Sequence, residues 1–385
     1  MRSLSRSLVP LFALLTLAAT EAAAQAPPGL RVYEDRPRGE MVLEVGPVDL
    51  PAGSGHHQLA PLEAAIPVAG WLRGFSIEMV DGAGRPVPQQ TLHHVNVILP
   101  ERRELFSQIM LRLAAAGQET APARLPRLFG YRARAGERVL VTAMLHNPTD
   151  AAYDDAYLRV RMPLTRSGAF VEPVSIYPFY LDVMPPASLH SYDLPPGRSE
   201  KSWEGEPAVD GRILAVGGHL HRYGVALRLE DVTAGKTIWE GRPEVDSAGE
   251  VTGMPTKKFI WRLGYPVRAG RTYRVTAVYD NPTGATIPDG AMGALGGVFA
   301  PSGDRPWPAA NPEDPEYRLD VHLVHTGNQE MKGQPGGHGA HGGHGGEHAG
   351  HGGHGDPAAP ASPAPSAGHA HGMPPSPPAA SPAPP

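Results

Sequence analysis

Between residues 30 and 327 the apolar residues come in short runs that alternate with polar ones or are rich in β-branched side chains. Residues 74–80, 138–144, 225–230 and 273–279 are examples. Alternation at a period of two marks a strand with one face in a core. Clusters of Pro, Gly and Asp, as at 81–84 and 194–197, separate the runs and supply turn chemistry. Many short strands punctuated this way predict an all-β fold of sandwiches or jelly rolls. One stretch, 104–115, lacks turn residues and reads as a single helix or a partly helical insertion.

An internal repeat divides the β region. Residues 135–150 align with 269–284, and Ala, Gly, Val, Thr, Ala, Asn, Pro and Thr coincide at a constant offset. Each copy has a Gly-bearing turn, a buried strand and an Asn-Pro-Thr turn that ends it. Duplication predicts two tandem jelly-roll-like β-sandwich domains, at 30–166 and 167–327.

The two ends read differently. Arg2 and Arg6, an apolar run from Leu8 to Ala19, and small residues before Gln25 follow the order of a secretory signal over 1–24. The run is shorter than the roughly 20 residues a membrane span needs. Export to the periplasm or outside the cell is therefore expected, with no membrane association after cleavage. From 328 to 385 the chain is Gly, His, Ala, Pro and Ser, which cannot form a packed core and predicts a disordered tail.

Composition narrows the chemistry. The cysteine count is 0, which excludes a lipoprotein anchor and leaves His, Met, Asp and Glu as metal ligands. A net charge of -5 argues against nucleic acid as a partner.

Of the 18 histidines, those before the tail include three close pairs. His219 and His221 stand at i and i+2, so on a strand they share a face and can present two imidazoles to one ion. His93 and His94 open an apolar strand, where adjacent residues reach one ion only if the strand is bulged or ending. The third pair, His56 and His57, sits among Gly, Ser and Pro, reads as an exposed loop and receives no role. His322 and His325 read as surface or packing residues. His146, just before the first Asn-Pro-Thr turn, is a third ligand for the first pair. Its counterpart in the repeat is Asp280. The second pair needs a ligand from elsewhere: Met292 is the candidate, with Met254 and Asp280 as rivals.

The order His-His, His, His-x-His, Met resembles the copper type II, ascorbate-dependent monooxygenases. These are the family of peptidylglycine α-hydroxylating and dopamine β-monooxygenases. The resemblance covers about residues 70–300. It implies two jelly-roll domains, each holding one copper ion. By position, His93, His94 and His146 match the family's three-histidine, electron-transferring centre. His219, His221 and Met292 match its two-histidine, one-methionine centre, where oxygen binds and a substrate C–H bond is broken. The family's disulfides are missing, and its substrate-anchoring residues are not identifiable here. Ligand chemistry supports copper independently, because a thioether added to two imidazoles shifts preference towards Cu(I). A three-histidine site alone suits zinc equally.

The expectation is an exported dicopper protein that hydroxylates a small-molecule or peptide substrate, using O2 and an ascorbate-like reductant. A non-catalytic periplasmic protein for copper binding, delivery or metal buffering is the alternative. The tail histidines, from His338 to His371, are expected to take extra metal ions.

Overall fold

The computed structural model describes residues 27–326 apart from 119, 121, 248, 260–262, 304 and 305. The expected signal segment and tail lie outside the described residues. The architecture is all-β, built as two tandem jelly-roll-like sandwiches, with one α-helix among the described residues.

The first sandwich contains β1 (Gly29–Asp35), β2 (Glu40–Leu50), β3 (Ser54–Gln58), β4 (Leu92–Arg103), β5 (Met110–Gly117), β6 (Arg138–Asn147) and β7 (Tyr153–Arg166). One sheet runs β1-β2-β7 and the other β3-β6-β4-β5. Leu43, Val45, Leu158 and Val160 from the first meet Val95, Val97, Val139 and Val141 from the second in one apolar core. Alternation turns Asn96 and Thr142 to the other face, where the Asn96 amide donates to the Thr142 hydroxyl at 3.3 Å.

The second sandwich contains β8 (Tyr177–Asp182), β9 (Ser191–Leu194), β10 (Gly197–Gly205), β11 (Gly211–Leu220), β12 (Gly224–Asp231), β13 (Tyr273–Asn281) and β14 (Ile287–Pro301). One sheet runs β8-β14-β11, with β9 also on β14, and faces a second sheet, β10-β13-β12. Phe179, Leu181, Val216, Leu227, Val275, Ala277, Tyr279 and Phe299 fill the space between. The strand pairs join residues within 29–175 or within 177–301.

The repeated turn is built on the same plan in both halves. Asn147 and Asn281 are fully buried at the ends of β6 and β13. The Asn147 amide donates to the carbonyls of Leu50 at 2.9 Å and Ala151 at 2.7 Å. Its Oδ1 accepts from the Thr149 backbone at 3.1 Å and hydroxyl at 2.7 Å. Asn281 donates to Leu194, Pro195 and Ala285, and accepts from Thr283 at the same 3.1 and 2.7 Å.

Two expectations are corrected. Residues 104–115 are not helical: an irregular segment leads into β5, which begins at Met110. It lacks turn residues because most of it is buried, polar Glu104 and Ser107 included. Phe106 packs edge-on against Phe179 and Tyr273 of the second sandwich, with ring centres 5.9 and 5.8 Å away. The second correction concerns the end of the range 167–327. There the chain forms α1 (Pro315–Thr326), which returns to the first sandwich. Tyr317, Val321 and Val324 cover Ile98, Met110 and Leu140, and Asp320 pairs with the buried Arg112 at 2.5 Å. The Asp314 carboxylate caps this helix by accepting from the Glu316 N–H at 2.9 Å, and Pro315 fits the first helical position.

Candidate metal centres

Strand register brings the first group of histidines together. β6 pairs with β4 regularly up to Met144 opposite His94, and then Leu145 lies opposite Leu92. His93 is therefore the extra residue of a β-bulge, the feature that lets two adjacent histidines serve one site. The His93 and His94 ring centres are 4.1 Å apart, and His146 lies 5.7 Å from His93. On the other side of β6, β3 sets His57 opposite Leu145 and Ser54 opposite Asn147, which brings His56 abreast of His146. The His56 ring is 4.3 Å from His93 and stacks on His146 at 4.9 Å. Four imidazoles from three neighbouring strands thus form one cluster.

Burial keeps His93, at the centre of the cluster, neutral. Burial pushes the His93 pKa down to about 3, aided by the repulsion of His94, His56, His146 and His221. Neutral imidazole is the form that binds metal. His146 Nε2 lies 2.5 Å from the Gln90 carbonyl oxygen. A carbonyl can only accept, so Nε2 carries the proton and Nδ1 keeps its lone pair. A backbone carbonyl holding the second nitrogen is the usual support of a metal-binding histidine.

The second group forms on β11 and β14. His219 lies opposite Ala294 and Leu220 opposite Gly293, so His221 comes level with Met292 one step on. Leu220 and Ala291 point into the core, which puts His219, His221 and Met292 on the opposite face. The two rings meet edge to face at 5.2 Å. Tyr279 reaches across from β13 and ties the backbones together. Its hydroxyl accepts from the N–H of His221 at 2.9 Å and of Met292 at 3.1 Å, and donates to the Met292 carbonyl. Burial pushes that hydroxyl up to about 12, so it remains a donor.

The rival ligands occupy other surroundings. Met254 packs against the main apolar core. Asp280 is exposed on β13, in the sheet across the core from β11. In the first sandwich the strand bearing His146 pairs directly with the His93 strand, whereas β13 pairs with β10 and β12. The repeat therefore does not carry the ligand position over.

A further polar group borders the second pair. Buried Asp182 lies beside Ala294, and hence in line with His219 across the sheet. It accepts from His190 Nδ1 at 3.1 Å and from the Tyr180 hydroxyl. Burial pushes His221 down to about 4, helped by His219 and His94 and opposed by Asp182 and Asp289. His94 lowering His221, and His221 lowering His93, mean the two groups lie within electrostatic reach of each other.

Metal fit can be judged from these separations. Two imidazoles on one ion, with bonds of about 2 Å, hold their ring centres roughly 4.5–5.5 Å apart. The separations in the first group run from 4.1 to 5.7 Å and bracket that range, and the 5.2 Å of the second falls within it. Among the described residues, no three His, Asp or Glu side chains already have their donor atoms gathered around one point. The rings are near enough for a shared ion, and binding requires them to turn about their side-chain bonds. A cavity of about 440 Å³ is lined by Arg31, Glu44, Pro47 and Tyr157 on the other sheet of the first sandwich and includes no histidine.

Reasoning from sequence missed His56, His190, Asp182 and Tyr180. For His56 the available signal was the adjacent pair itself, hidden by a Gly- and Ser-rich context. The Asp182 group carries no local pattern.

No family model matches the chain, and no characterised protein matches it in sequence. Among solved structures, the major capsid protein P2 of bacteriophage PM2 is 11% identical, with 69% of this chain and 99% of that one covered, at a TM-score of 0.31. The infectious bursal disease virus VP2 subviral particle is 12% identical, covering 74% and 73%, at 0.23. A putative secreted protein from Eubacterium rectale is 9% identical, covering 64% and 74%, at 0.21. Likeness at these scores carries no argument about this chain.

Proposed function

We propose that this chain is an exported dicopper protein of the monooxygenase type, oxidising a substrate C–H bond with O2 and an ascorbate-like reductant. The observation that carries the reading is that two imidazole groups, one on each sandwich, lie within electrostatic reach of each other. His93, His94 and His146 would hold one ion; His219, His221 and Met292 would hold the other. Copper in these positions supplies one-electron redox chemistry and dioxygen reduction. The chain's own contribution is to keep the imidazoles neutral, as burial does for His93 and His221. Tyr279 fixes the His221 and Met292 backbones relative to each other, so that sulfur and imidazole stay on one face. Export is supported by the signal-like order of residues 1–24.

The test is ascorbate-driven oxygen uptake by the copper-loaded full chain across candidate peptide and small-molecule substrates. It is compared with the His219→Ala/His221→Ala variant, so that any copper on the tail contributes equally. Substrate-dependent uptake that falls at least about tenfold in the variant is expected. Equal uptake by both rejects the enzymatic reading. Loss of one bound copper in the variant, with no uptake by either protein, favours the carrier reading, which the His-rich tail also supports.

A further inference from the structure

We propose that His56 is a fourth imidazole ligand of the N-terminal centre, completing a four-nitrogen site for divalent copper or zinc with His93, His94 and His146. The inference rests on the reading of that cluster as a metal centre. Its own support is geometric. His56 lies 4.3 Å from His93 and 4.9 Å from His146, closer to each than His146 is to His93, at 5.7 Å. His56 therefore lies beside both His93 and His146, at or close to the separations that two imidazoles on one ion require.

The approach of His56 is built into the fold. β3 is an edge strand, held on β6 by the pairs Met144–Gln58 and Leu145–His57. The Gln58 amide donates to the Ala143 carbonyl at 3.1 Å, and the turn before β3 is fastened by Gly53 N–H to Thr149 O at 2.9 Å. That last bond ends on the Asn-Pro-Thr turn, which buried Asn147 anchors. The same turn therefore sets both His146 on β6 and the start of the strand that carries His56. Alternation along β3 turns His57 to the opposite face, so one member of the pair joins the cluster and the other does not.

A fourth nitrogen changes what the centre can do. Four protein ligands fill a tetrahedral ion, or the equatorial plane of a tetragonal one, and leave no strong position for an exogenous ligand, whereas three leave one open. The two centres would then differ in kind: a closed all-imidazole site on β3, β4 and β6, and an open His219/His221/Met292 site on β11 and β14.

Residue-resolved labelling with diethyl pyrocarbonate, read by mass spectrometry on the full chain, tests this against buffered Cu(II). Each histidine is scored separately, so metal on the tail does not interfere. His56, His94 and His146 are expected to lose reactivity together, at one copper concentration, while His57 stays reactive. In His56→Ala the protection of His94 and His146 should need about tenfold more copper or greater, and His57→Ala should leave it unchanged. If His94 and His146 are protected while His56 reacts as before, the fourth ligand is rejected and the three-histidine centre stands. If none of the three is protected, both the fourth ligand and the centre itself are rejected.

Discussion

A single buried asparagine in each sandwich shows how much one side chain can organise. Asn147 and Asn281 each satisfy two or more carbonyls and one backbone N–H with no solvent to substitute. Alanine at either position leaves those groups buried without partners, a loss of about 1–3 kcal/mol. Urea unfolding of Asn147→Ala and Asn281→Ala should show similar losses, because the two networks share every bond but the additional one from Asn281 to Pro195. A change under 0.5 kcal/mol, the ordinary surface range of about ±0.5, would show the shared turn to be decorative. At this scale the sequence was informative about which residues recur and silent about what they touch. The Asn-Pro-Thr match was legible in the repeat, and so were five histidines and Met292 as candidates. His56 was not, because its partners come from strands more than thirty residues away and only pairing register brings them close.

Strands reveal where a period of two succeeds and where it needs help. The period-two or β-branched pattern at 138–144 marked the strand that became β6, and the need for a bulge at His93 followed from two adjacent histidines on a flat strand. The bulge itself depends on how β4 pairs with β6, which no local pattern states. Residues 104–115 failed for a related reason: a segment buried against two sandwiches hides polar as well as apolar side chains, and periodicity then cannot separate helix from irregular structure. The missed helix had a readable start in Asp314 and Pro315, a capping pair. Close approach of strands also fixes the second centre. A Cβ at Gly293, next to Met292, would sit 2.5 Å from the Ala277 Cβ and 3.1 Å from Val183. Neither neighbour can swing away, since Ala277 has no rotatable bond and both are in the core. Gly293→Ala should therefore cost about 1–3 kcal/mol through overpacking. Thermal unfolding reads this directly, and an unchanged midpoint would mean that the two sheets can separate locally without penalty.

Across the whole molecule, the two sandwiches are joined by a small set of buried charges and not by apolar packing alone. Glu104, fully buried after β4, accepts the Arg112 N–H at 2.7 Å and the Tyr180 N–H of β8 at 3.2 Å. Arg112 in turn pairs with Asp320 of α1, so first sandwich, second sandwich and helix meet at one point. Removing Asp320 leaves the Arg112 charge uncompensated by its nearest partner, and Asp320→Ala should cost about 3–5 kcal/mol in urea unfolding. Glu104 gives this junction a pH dependence whose sign can be worked out. Burial raises its pKa from 4.5 to about 7, against the opposing pull of the Arg112 N–H and charge. A carboxyl with a raised folded pKa contributes fully below pH 4.5, loses that contribution as pH rises to about 7, and changes nothing further above. Glu104→Gln cannot ionise and lacks this slope, though it gives up one acceptor and starts from lower stability. The stability of the parent minus that of the variant should then fall by at most about 3 kcal/mol between pH 4.5 and 7 and level off above. A difference that stays flat across that window would mean Glu104 ionises freely in the folded protein. The junction would in that case admit water, and the two sandwiches would be coupled more loosely than their shared core implies.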